Sequence, residues 1–590
     1  MSPKTQALTE AGPVGRVPLA AALRASLTNY SKSDFRKDLI AGITVGIVAL
    51  PLSMALAIAS GVPPQHGIYT AIFAGGLSAL LGGSRVQITG PTNTFVLLAP
   101  IAAQFGLAGL LVATMLAGAL QICMGLARFG RMIQFIPSTV TVGFTAGIAL
   151  VIAIVQVKDF LGLQMTESPT RVIEKVIALA RALPTTQWPE LIVGSFTLLI
   201  LIFWKRVTTR IPSPLVAMLA AGVLGYVLER YAGVSIATIS DRYEIPQSIP
   251  LPRLPWDYHG PDEKLIPMDL AFLQALIPSA FVLAILGSME SLLSAVVADG
   301  ITGHKHDSDA ELVGQGVGNF VAPFFGGFAG SGAIARTAAN IGFGGKSPIS
   351  SLIHVAFLIC TLLLLAPVLG MLPMAAMAAL LLRVAWVMTD LRHILYLLRV
   401  APRSDVLVML SCFGLTVVFD LILAVEVGVV MAALIFTRRM ADVSDVRLVN
   451  EEVHEHDETP LPKEVLHYEI AGPMFFGAAE KAMAALRYVR DGVRVVVFDM
   501  RAVPVMDVTG LINLQSALDK LGRMGVMVIL ASVQKQPLRV MAKARLRKDR
   551  HYLSVCSTLR QALDMARAMA VLMPDEPATP KPSGAASATQ

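Results

Sequence analysis

Charged and aromatic residues are scarce in this chain. Only 15% of its 590 residues are charged and 6% are aromatic, whereas a soluble domain carries roughly 25% charged residues. The charges crowd residues 1–38 and 440–590, and several stretches between these ends carry almost none. Apolar residues make up 55% of the chain, and its 47 glycines suit the close packing of membrane helices. The composition therefore predicts a polytopic protein of the lipid bilayer.

Other absences exclude whole classes of function. The four cysteines occur singly, without C-x-x-C or histidine spacing, and predict neither a metal site nor a disulfide. No G-x-x-x-x-G-K-S/T motif and no Ser/His/Asp arrangement occurs, which argues against ATP coupling, an enzyme and a bound cofactor. The net charge of +7 is spread over short loops without interleaved aromatic residues, so nucleic acid is not an expected partner. No cleavable signal peptide is expected, because no adequate apolar run precedes Leu39.

A membrane-spanning helix needs roughly 20 apolar residues, and fewer are enough where a helix stops at the midplane. By this measure the apolar sequence falls into fourteen segments. Seven lie on each side of a polar, proline-rich linker at residues 230–266. An odd number of segments per half inverts the second half, so the pattern predicts two inverted repeats, 39–229 and 269–438. The segments lie near residues 39–58, 67–82, 92–104, 108–127, 133–157, 190–205, 212–229, 269–298, 312–325, 332–342, 350–368, 372–390, 404–420 and 422–438.

Loop charge predicts the orientation of these segments. Lys and Arg concentrate in short loops after even-numbered segments, such as Arg128–Arg131 and Arg392–Arg403. The short loops after segments 1, 3, 11 and 13 carry none. Because cytoplasmic loops carry the excess of positive residues, we expect both termini, including the N-terminal segment 1–38, in the cytoplasm.

Two segments are broken in the same way, one in each half. Residues 82–94 read GGSRVQITGPTNT and residues 325–337 read FGGFAGSGAIART, with small and helix-breaking residues where a membrane helix has Leu and Val. Unwound backbone at membrane depth is tolerated only inside protein or beside water, and a matched pair of such breaks indicates a transporter binding site. Each break precedes a short helix whose N-terminus carries free N–H groups and a partial positive charge. The pair therefore predicts an anion site.

The sequence changes in character at residues 463–572, after a linker at 439–462. Short β-rich runs alternate there with amphipathic stretches, which predicts a small, mostly parallel α/β domain. Residues 573–590 are rich in Pro and Ala and are expected to be disordered. The predicted strands are 465–470, 493–500, 526–530 and 551–556, and the predicted helices are 477–490, 508–522, 536–545 and 558–571.

Six motifs in order along the chain resemble those of the SulP anion transporters, relatives of sulfate permeases and prestin, over about residues 30–570. The resemblance includes a C-terminal STAS domain. It implies an all-α membrane part of seven plus seven inverted segments with core and gate subdomains, where segments 1–4 and 8–11 form a core that carries the anion by an elevator-type movement. It also implies a homodimer in the plasma membrane, here the bacterial inner membrane. The motifs are Asp38–Gly46 with Leu50 and Pro51, Pro63–Tyr69, Gly90–Thr92, Glu290–Ser294, Glu311–Asn319 and Gly332–Thr337.

One loop of the STAS region, Val503–Gly510, resembles the loop that bears a phosphorylatable serine in anti-sigma antagonists. Val508 occupies the position of that serine, so the ancestral switch is expected to be absent. Thr509 is expected to cap the following helix. The domain is therefore expected to serve folding, dimer contacts or partner binding rather than catalysis.

Arg336 is a lone charge near the start of the second short helix. A charge inside the membrane is costly and is by default a functional candidate, with a structural ion pair as the alternative. Hydroxyl, amide and backbone donors around the two breaks are further candidate ligands, although such hydroxyl residues also cap helices. The predicted anion-binding residues are Thr92, Asn93, Thr94, Ser331, Gly332, Ala333 and Arg336.

Glu290 is the candidate coupling residue. An ionised carboxylate repels a nearby bound anion unless a proton or a cation neutralises it, and Ser294 lies four residues later on the same helix face. Sodium-coupled bicarbonate relatives resemble this chain here, with an acid, a hydroxyl four residues on and a hydroxyl at the place of Thr92. Glu290, Ser294 and Thr92 are thus the predicted coupling-ion site, and a proton is favoured over Na⁺ because it needs only the carboxyl. The alternative is a permanent ion pair between Glu290 and Arg336.

Together these patterns predict a proton-coupled symporter of a small anion. Three alternatives stay open: a sodium-coupled bicarbonate symporter, an uncoupled anion exchanger or channel on the same fold, and a membrane-anchored sensor with the STAS domain as its output. The anion stays open among sulfate, bicarbonate, chloride, nitrate and C4-dicarboxylates, because an arginine with N–H donors suits them all.

Overall fold

Two compact units, Met1–Ala432 and Ala433–Gln590, divide the chain. Within the described residues of the first unit, seven helices are long and apolar enough to cross a membrane. The computed structural model describes residues 19–28, 30–130, 138–165, 169, 171–208, 211–260, 268–419, scattered positions between 424 and 437, 445–448, 461–474, 492–546 and 551–572.

The first unit is helical, and most of its helices fall on the predicted apolar segments. The prediction of an all-α membrane part is therefore confirmed. A 3₁₀ helix, Asn93–Leu98, leads into the fourth helix. The helices are α1 (Ala21–Leu27), α2 (Lys32–Ala59), α3 (Pro64–Leu81), α4 (Ala99–Leu126), α5 (Ser138–Leu161), α6 (Val172–Ala182), α7 (Trp188–Val207), α8 (Ser213–Ala232), α9 (Leu270–Thr302), α10 (Ser308–Val321), α11 (Ile334–Gly342), α12 (Pro348–Gly370), α13 (Met374–Thr389), α14 (Leu391–Val400) and α15 (Arg403–Val418).

Some helix bounds differ from the predicted ones. α2 begins before residue 39, because Ser31 and Asp34 form a capping box in which each side chain accepts a hydrogen bond from the other residue's backbone N–H. The short helices α6 and α14 lie between predicted segments. The last predicted segment, 422–438, falls mostly outside the described residues, so the count of fourteen stays a prediction.

Gly106 divides α4 at the place where the third and fourth predicted segments meet. Its φ of 61° and ψ of −162° are not helical. A Cβ atom at this position would lie 2.6 Å from Cα of Gly260. Both the backbone conformation and the close approach of a neighbouring chain segment therefore require glycine here.

The two predicted breaks meet inside the first unit. One lies between α3 and the 3₁₀ helix, and the other lies between α10 and α11. Their strands β1 (Thr89–Gly90) and β2 (Ser331–Gly332) pair antiparallel, with Thr89 opposite Gly332 and Gly90 opposite Ser331. Both strands are buried. This short ladder brings together the starts of two helices that are far apart in sequence.

The second unit is built on a sheet whose strands lie in the order β3-β4-β5-β6-β7. The last four strands are mutually parallel, and β3 pairs antiparallel with β4 at the edge. The prediction of a mostly parallel α/β domain is confirmed, although β3 was not predicted and the predicted helix 477–490 lies outside the described residues. The elements are β3 (Asp445–Leu448), β4 (Val465–Ala471), β5 (Val495–Ala502), α16 (Val508–Arg523), β6 (Met527–Ala531), α17 (Lys535–Lys543), β7 (Leu553–Cys556) and α18 (Leu559–Leu572).

Asp507 caps α16. Its Oδ1 accepts a hydrogen bond from the backbone N–H of Gly510 at 2.7 Å. The expectation that Thr509 is the cap is wrong, because the helix already begins at Val508 and a carboxylate at the preceding position reaches the third N–H of the helix. The side chain at the ancestral serine position, Val508, is 69% exposed.

Candidate anion-binding site

The β1–β2 ladder places the starts of two short helices side by side. Thr92 precedes the 3₁₀ helix and Ala333 precedes α11, and neither side chain caps the helix that follows it. The first N–H groups of a helix have no partner within the helix. The two starts therefore offer backbone donors and partial positive charge in one buried region.

Three hydroxyl groups from the two helix starts converge on the carboxyl group of Glu290 in α9. Thr92 Oγ1 donates to Glu290 Oε2 at 2.6 Å, and Ser331 Oγ donates to the same oxygen at 2.5 Å. Thr94 Oγ1 donates to Oε1. The hydroxyls of Thr92 and Ser331 are also 2.8 Å apart. Four of the residues selected from the sequence thus form one hydrogen-bonded cluster.

Arg336 lies beside this cluster and is only 3% exposed. Its Nη2 donates to the backbone oxygen of Pro91 in the first break. Its Nε and Nη1 have no hydrogen-bond partner in the described part of the chain. The guanidinium interacts electrostatically with Glu290, yet the hydrogen bonds of Glu290 go to hydroxyl groups. No hydrogen bond joins the two side chains directly, and the permanent ion pair between them stays an alternative.

The close approach of Arg336 explains one glycine of the first break. A Cβ atom at Gly90 would lie 2.7 Å from Nη1 of Arg336. Since β1 pairs Gly90 with Ser331, a larger residue would displace either the guanidinium or the ladder. Gly90 therefore keeps the cation next to both helix starts.

Ser294 lies apart from the Glu290 cluster. Its Oγ donates to Oγ1 of Thr337 at 3.1 Å, and Thr337 Oγ1 also accepts from the backbone N–H of Ile88 at 3.1 Å. Of the predicted coupling-ion residues, Thr92 is bonded to Glu290 while Ser294 ties α9 to α11. The role of Ser294 in coupling stays a prediction.

Two backbone donors of the second break, which precede the first turn of α11, are already engaged. Gly332 N donates to Ser291 Oγ at 2.9 Å, and Ala333 N donates to the oxygen of Ile88 at 2.9 Å. In the first break, Asn93 Oδ1 is buried without a partner among the described residues. The side-chain hydroxyls and the two unpaired nitrogens of Arg336 are therefore the groups best placed to meet an anion, and Asn93, Gly332 and Ala333 stay predicted ligands.

One face of α10, to which the sequence motifs assigned no role, holds both breaks. Glu311 accepts hydrogen bonds from the backbone N–H groups of Gly83 and Ser84, each at 2.9 Å. Gln315 and Asn319 both bond Gly330 in the second break. The three side chains are spaced by four residues, which places them on one helix face. Their signal was three polar residues at this spacing, of which Glu311 immediately precedes the predicted segment 312–325 and the other two lie within it.

Residues 35–412 match the sulfate permease family, and residues 457–562 match the STAS domain. The chain belongs to the sulfate permease family. This confirms the SulP resemblance, and the family is one of transporters rather than enzymes. The chain is accordingly a multi-pass membrane protein with a C-terminal STAS domain.

Its relatives include transporters of two oxyanions. The putative sulfate transporter YvdB of Bacillus subtilis is 38% identical over 520 residues, which are 88% of this chain and 95% of the relative. The bicarbonate transporter BicA of Picosynechococcus is 32% identical over 511 residues, or 82% of this chain and 87% of the relative. The solved structure of SLC26A9 matches with a TM-score of 0.81 and 20% identity over 94% of this chain and 93% of that one, which supports the fold alone.

Proposed function

We propose that the chain is a secondary active transporter that carries a small anion together with a proton across a bacterial inner membrane. The relatives named as sulfate and bicarbonate transporters support an oxyanion as the cargo. The observation that carries the proposal is the Glu290 carboxyl group, bonded by three hydroxyls from the two helix starts beside the incompletely paired Arg336.

The coupling follows from charge. An ionised Glu290 about 5 Å from a bound anion repels it by about 3 kcal/mol at an effective dielectric constant near 20, which corresponds to roughly a hundredfold in affinity. An ionised carboxylate also occupies the hydroxyl donors of Thr92, Thr94 and Ser331. A proton on Glu290 removes the repulsion and frees part of these donors for the anion. The anion and the proton therefore favour each other's binding at this site.

A sodium-coupled bicarbonate symporter is the second candidate. The hydroxyl oxygens of Thr92, Thr94 and Ser331 each lie within hydrogen-bond distance of the Glu290 carboxyl group. A carboxylate with hydroxyl oxygens also suits a hard cation. Ser294, the further oxygen expected for such a site, donates to Thr337 instead. This difference supports the proton as the coupling ion.

An elevator-type movement is proposed for the translocation step. The site residues come from α9, α11 and the two breaks, which α10 holds together through Glu311, Gln315 and Asn319. Such a unit can carry the site across the membrane as one body against the remaining helices. We also propose a homodimer with both termini in the cytoplasm, in accord with the loop charges.

Uptake by proteoliposomes tests the proposal. A radiolabelled panel of sulfate, bicarbonate, chloride, nitrate and a C4-dicarboxylate is offered under an inward proton gradient without sodium, and then under a sodium gradient alone. We expect proton-driven accumulation of one or more oxyanions by the wild type. Glu290→Gln should lose accumulation and keep downhill exchange, because the amide is neutral and cannot release a proton.

The matched control is Glu174→Gln in α6, where the side chain is 53% exposed and pairs with Arg171. This variant should accumulate the anion like the wild type. Accumulation that needs sodium, or that persists in Glu290→Gln, contradicts the proton-coupled mechanism. Anion flux that depends on neither the proton nor the sodium gradient favours an uncoupled exchanger or channel. Anion binding without flux favours a sensor.

A further inference from the structure

The fully buried side chain of Gln315 bonds both breaks and α9, the helix that carries Glu290. Its Nε2 donates to the oxygen of Gly330 in the second break at 2.7 Å. Its Oε1 accepts from Thr89 Oγ1 of the first break at 3.3 Å and from Ser291 Oγ of α9 at 3.2 Å. Glu311 and Asn319, on the same face of α10, each bond only one of the two breaks. Gln315 is thus a single connection between both breaks and the helix that carries Glu290.

The connection through Ser291 reaches the ladder as well. Ser291 follows Glu290 in the chain, and its Oγ accepts from the backbone N–H of Gly332 at 2.9 Å. Gly332 lies opposite Thr89 in the ladder. Gln315 therefore fixes the two strands relative to each other and fixes α9 relative to both.

We infer that Gln315 is a positioning residue of the transport site, which keeps the hydroxyls of Thr92, Thr94 and Ser331 within reach of Glu290. The inference rests on the proposed function for its effect on transport. The three hydroxyls come from two breaks and the carboxyl from a third element, so a shift of any one lengthens at least one of these bonds. In enzymes a displacement of about 1 Å costs up to about a hundredfold in rate, and we expect an effect of similar size on transport.

An amide is needed at this position because it combines a donor and an acceptor. The oxygen of Gly330 requires a donor, and the hydroxyls of Ser291 and Thr89 require an acceptor. A methionine would fill the space, but it has no donor and its sulfur is only a weak acceptor. A glutamate would meet Gly330 with a charged oxygen when ionised, whereas a protonated glutamate again offers one donor and one acceptor.

The test therefore compares Gln315→Met with Gln315→Glu over a pH series from about 5 to about 9, which spans both forms of a carboxyl. The buried charged groups on the helices of the site are Glu311 on α10, Glu290 on α9 and Arg336 on α11. All variants carry them, so each rate is divided by the wild-type rate at the same pH. Gln121→Met is the matched control, because Gln121 is an equally buried glutamine that bonds α9 and Asn319 but neither break.

The first measurement is downhill uptake of radiolabelled sulfate and of radiolabelled bicarbonate by proteoliposomes. Gln315→Met should lower uptake by about tenfold to a hundredfold at every pH, as expected for a misplaced site. Gln315→Glu should exceed Gln315→Met by about tenfold near pH 5, where protonation restores the donor and acceptor pair. Gln121→Met should keep most of the wild-type rate.

The second measurement, amide hydrogen exchange, needs no transported anion. We expect faster exchange in both breaks, residues 86–92 and 329–335, for Gln315→Met, and recovery toward the wild type for Gln315→Glu at low pH. Wild-type uptake and exchange in Gln315→Met, or a glutamate variant no better than the methionine variant at any pH, would overturn the inference. If the wild type transports neither anion, the proposed function is in question, and the exchange comparison still decides the positioning role.

Discussion

Arg336 and Glu290 lie in one buried region of the membrane unit, yet each makes its hydrogen bonds to other groups. Glu290 is held by hydroxyls, and Arg336 donates only to Pro91, with Nε and Nη1 unpaired among the described residues. A buried cation with unpaired donors is costly. A bound anion would supply the missing partner, so the binding free energy of the anion should depend on Arg336.

We therefore expect Arg336→Ala to weaken anion binding by about tenfold or more, which corresponds to ~1.4 kcal/mol or more. Arg336→Lys should have an intermediate effect, because it keeps the charge and loses the planar set of donors. Calorimetric or thermal-shift titration with the transported oxyanion measures the change. Arg403→Ala, at an exposed arginine at the start of α15, is the control. Unchanged affinity in Arg336→Ala would exclude this residue from the site.

At the scale of secondary structure, the site depends on where helices stop. The 3₁₀ helix and α11 both begin at the ladder without a side-chain cap. The 3₁₀ helix leads directly into the first part of α4, and the helical conformation is interrupted at Gly106. The length of the short helix after the first break is thus set at both ends. The glycine at its far end should be as necessary to the fold as the ladder at its near end.

Gly106→Ala should destabilise the membrane unit by about 1–3 kcal/mol from backbone conformation alone, because its φ and ψ lie in a region almost restricted to glycine. The overlap with Gly260 adds to this cost. Gly233→Ala is a matched control: its φ is 67° and no atom lies within 4 Å of the added Cβ, so only strain of about 1–2 kcal/mol applies. Thermal unfolding in detergent compares the two variants. Equal midpoints would show that the contact with Gly260 does not matter.

At the scale of the whole molecule, the two units have separate chemistry. Every residue of the candidate site belongs to Met1–Ala432. The second unit has an apolar core on both faces of its sheet, in which Val495 and Val497 face one cluster and Val496 and Phe498 face the other. Anion selectivity should therefore reside in the first unit.

Deletion of residues 460–590 should lower expression or turnover and leave the order of preference among anions unchanged. The reason is that the predicted ligands and the ladder all lie before this point in the chain. Competition of unlabelled anions against uptake of the labelled oxyanion measures the order. Deletion of residues 573–590 alone is the control for the loss of the tail. A different order of preference in the longer deletion would assign selectivity to the STAS domain as well.

Local patterns were sufficient for two features of the architecture, the all-α membrane part and the mostly parallel α/β domain, whereas the count of fourteen segments in inverted repeats stays a prediction. Low charge with apolar segments of spanning length is read within one stretch of about 20 residues, and the alternation that predicts β4 to β7 is equally local. The two breaks were visible because Gly, Pro and hydroxyl residues interrupt such stretches, and Arg336 and Glu290 were visible as isolated charges. Family membership followed from motifs that the sequence itself contains.

The tertiary structure decided which of these groups meet. Thr92 and Glu290 are 198 residues apart, and Thr92 and Ser331 are 239 residues apart, so no local pattern fixes their contact. The same reason applies to Ser294, whose partner is Thr337, and to Gln315, whose role depends on bonds to both breaks. Sequence alone thus determined which residues are candidates for an anion site, because polarity in an apolar segment is a local property. Only the fold determined which donors stay free for it, because hydrogen-bond pairing depends on helices brought together from both halves of the chain.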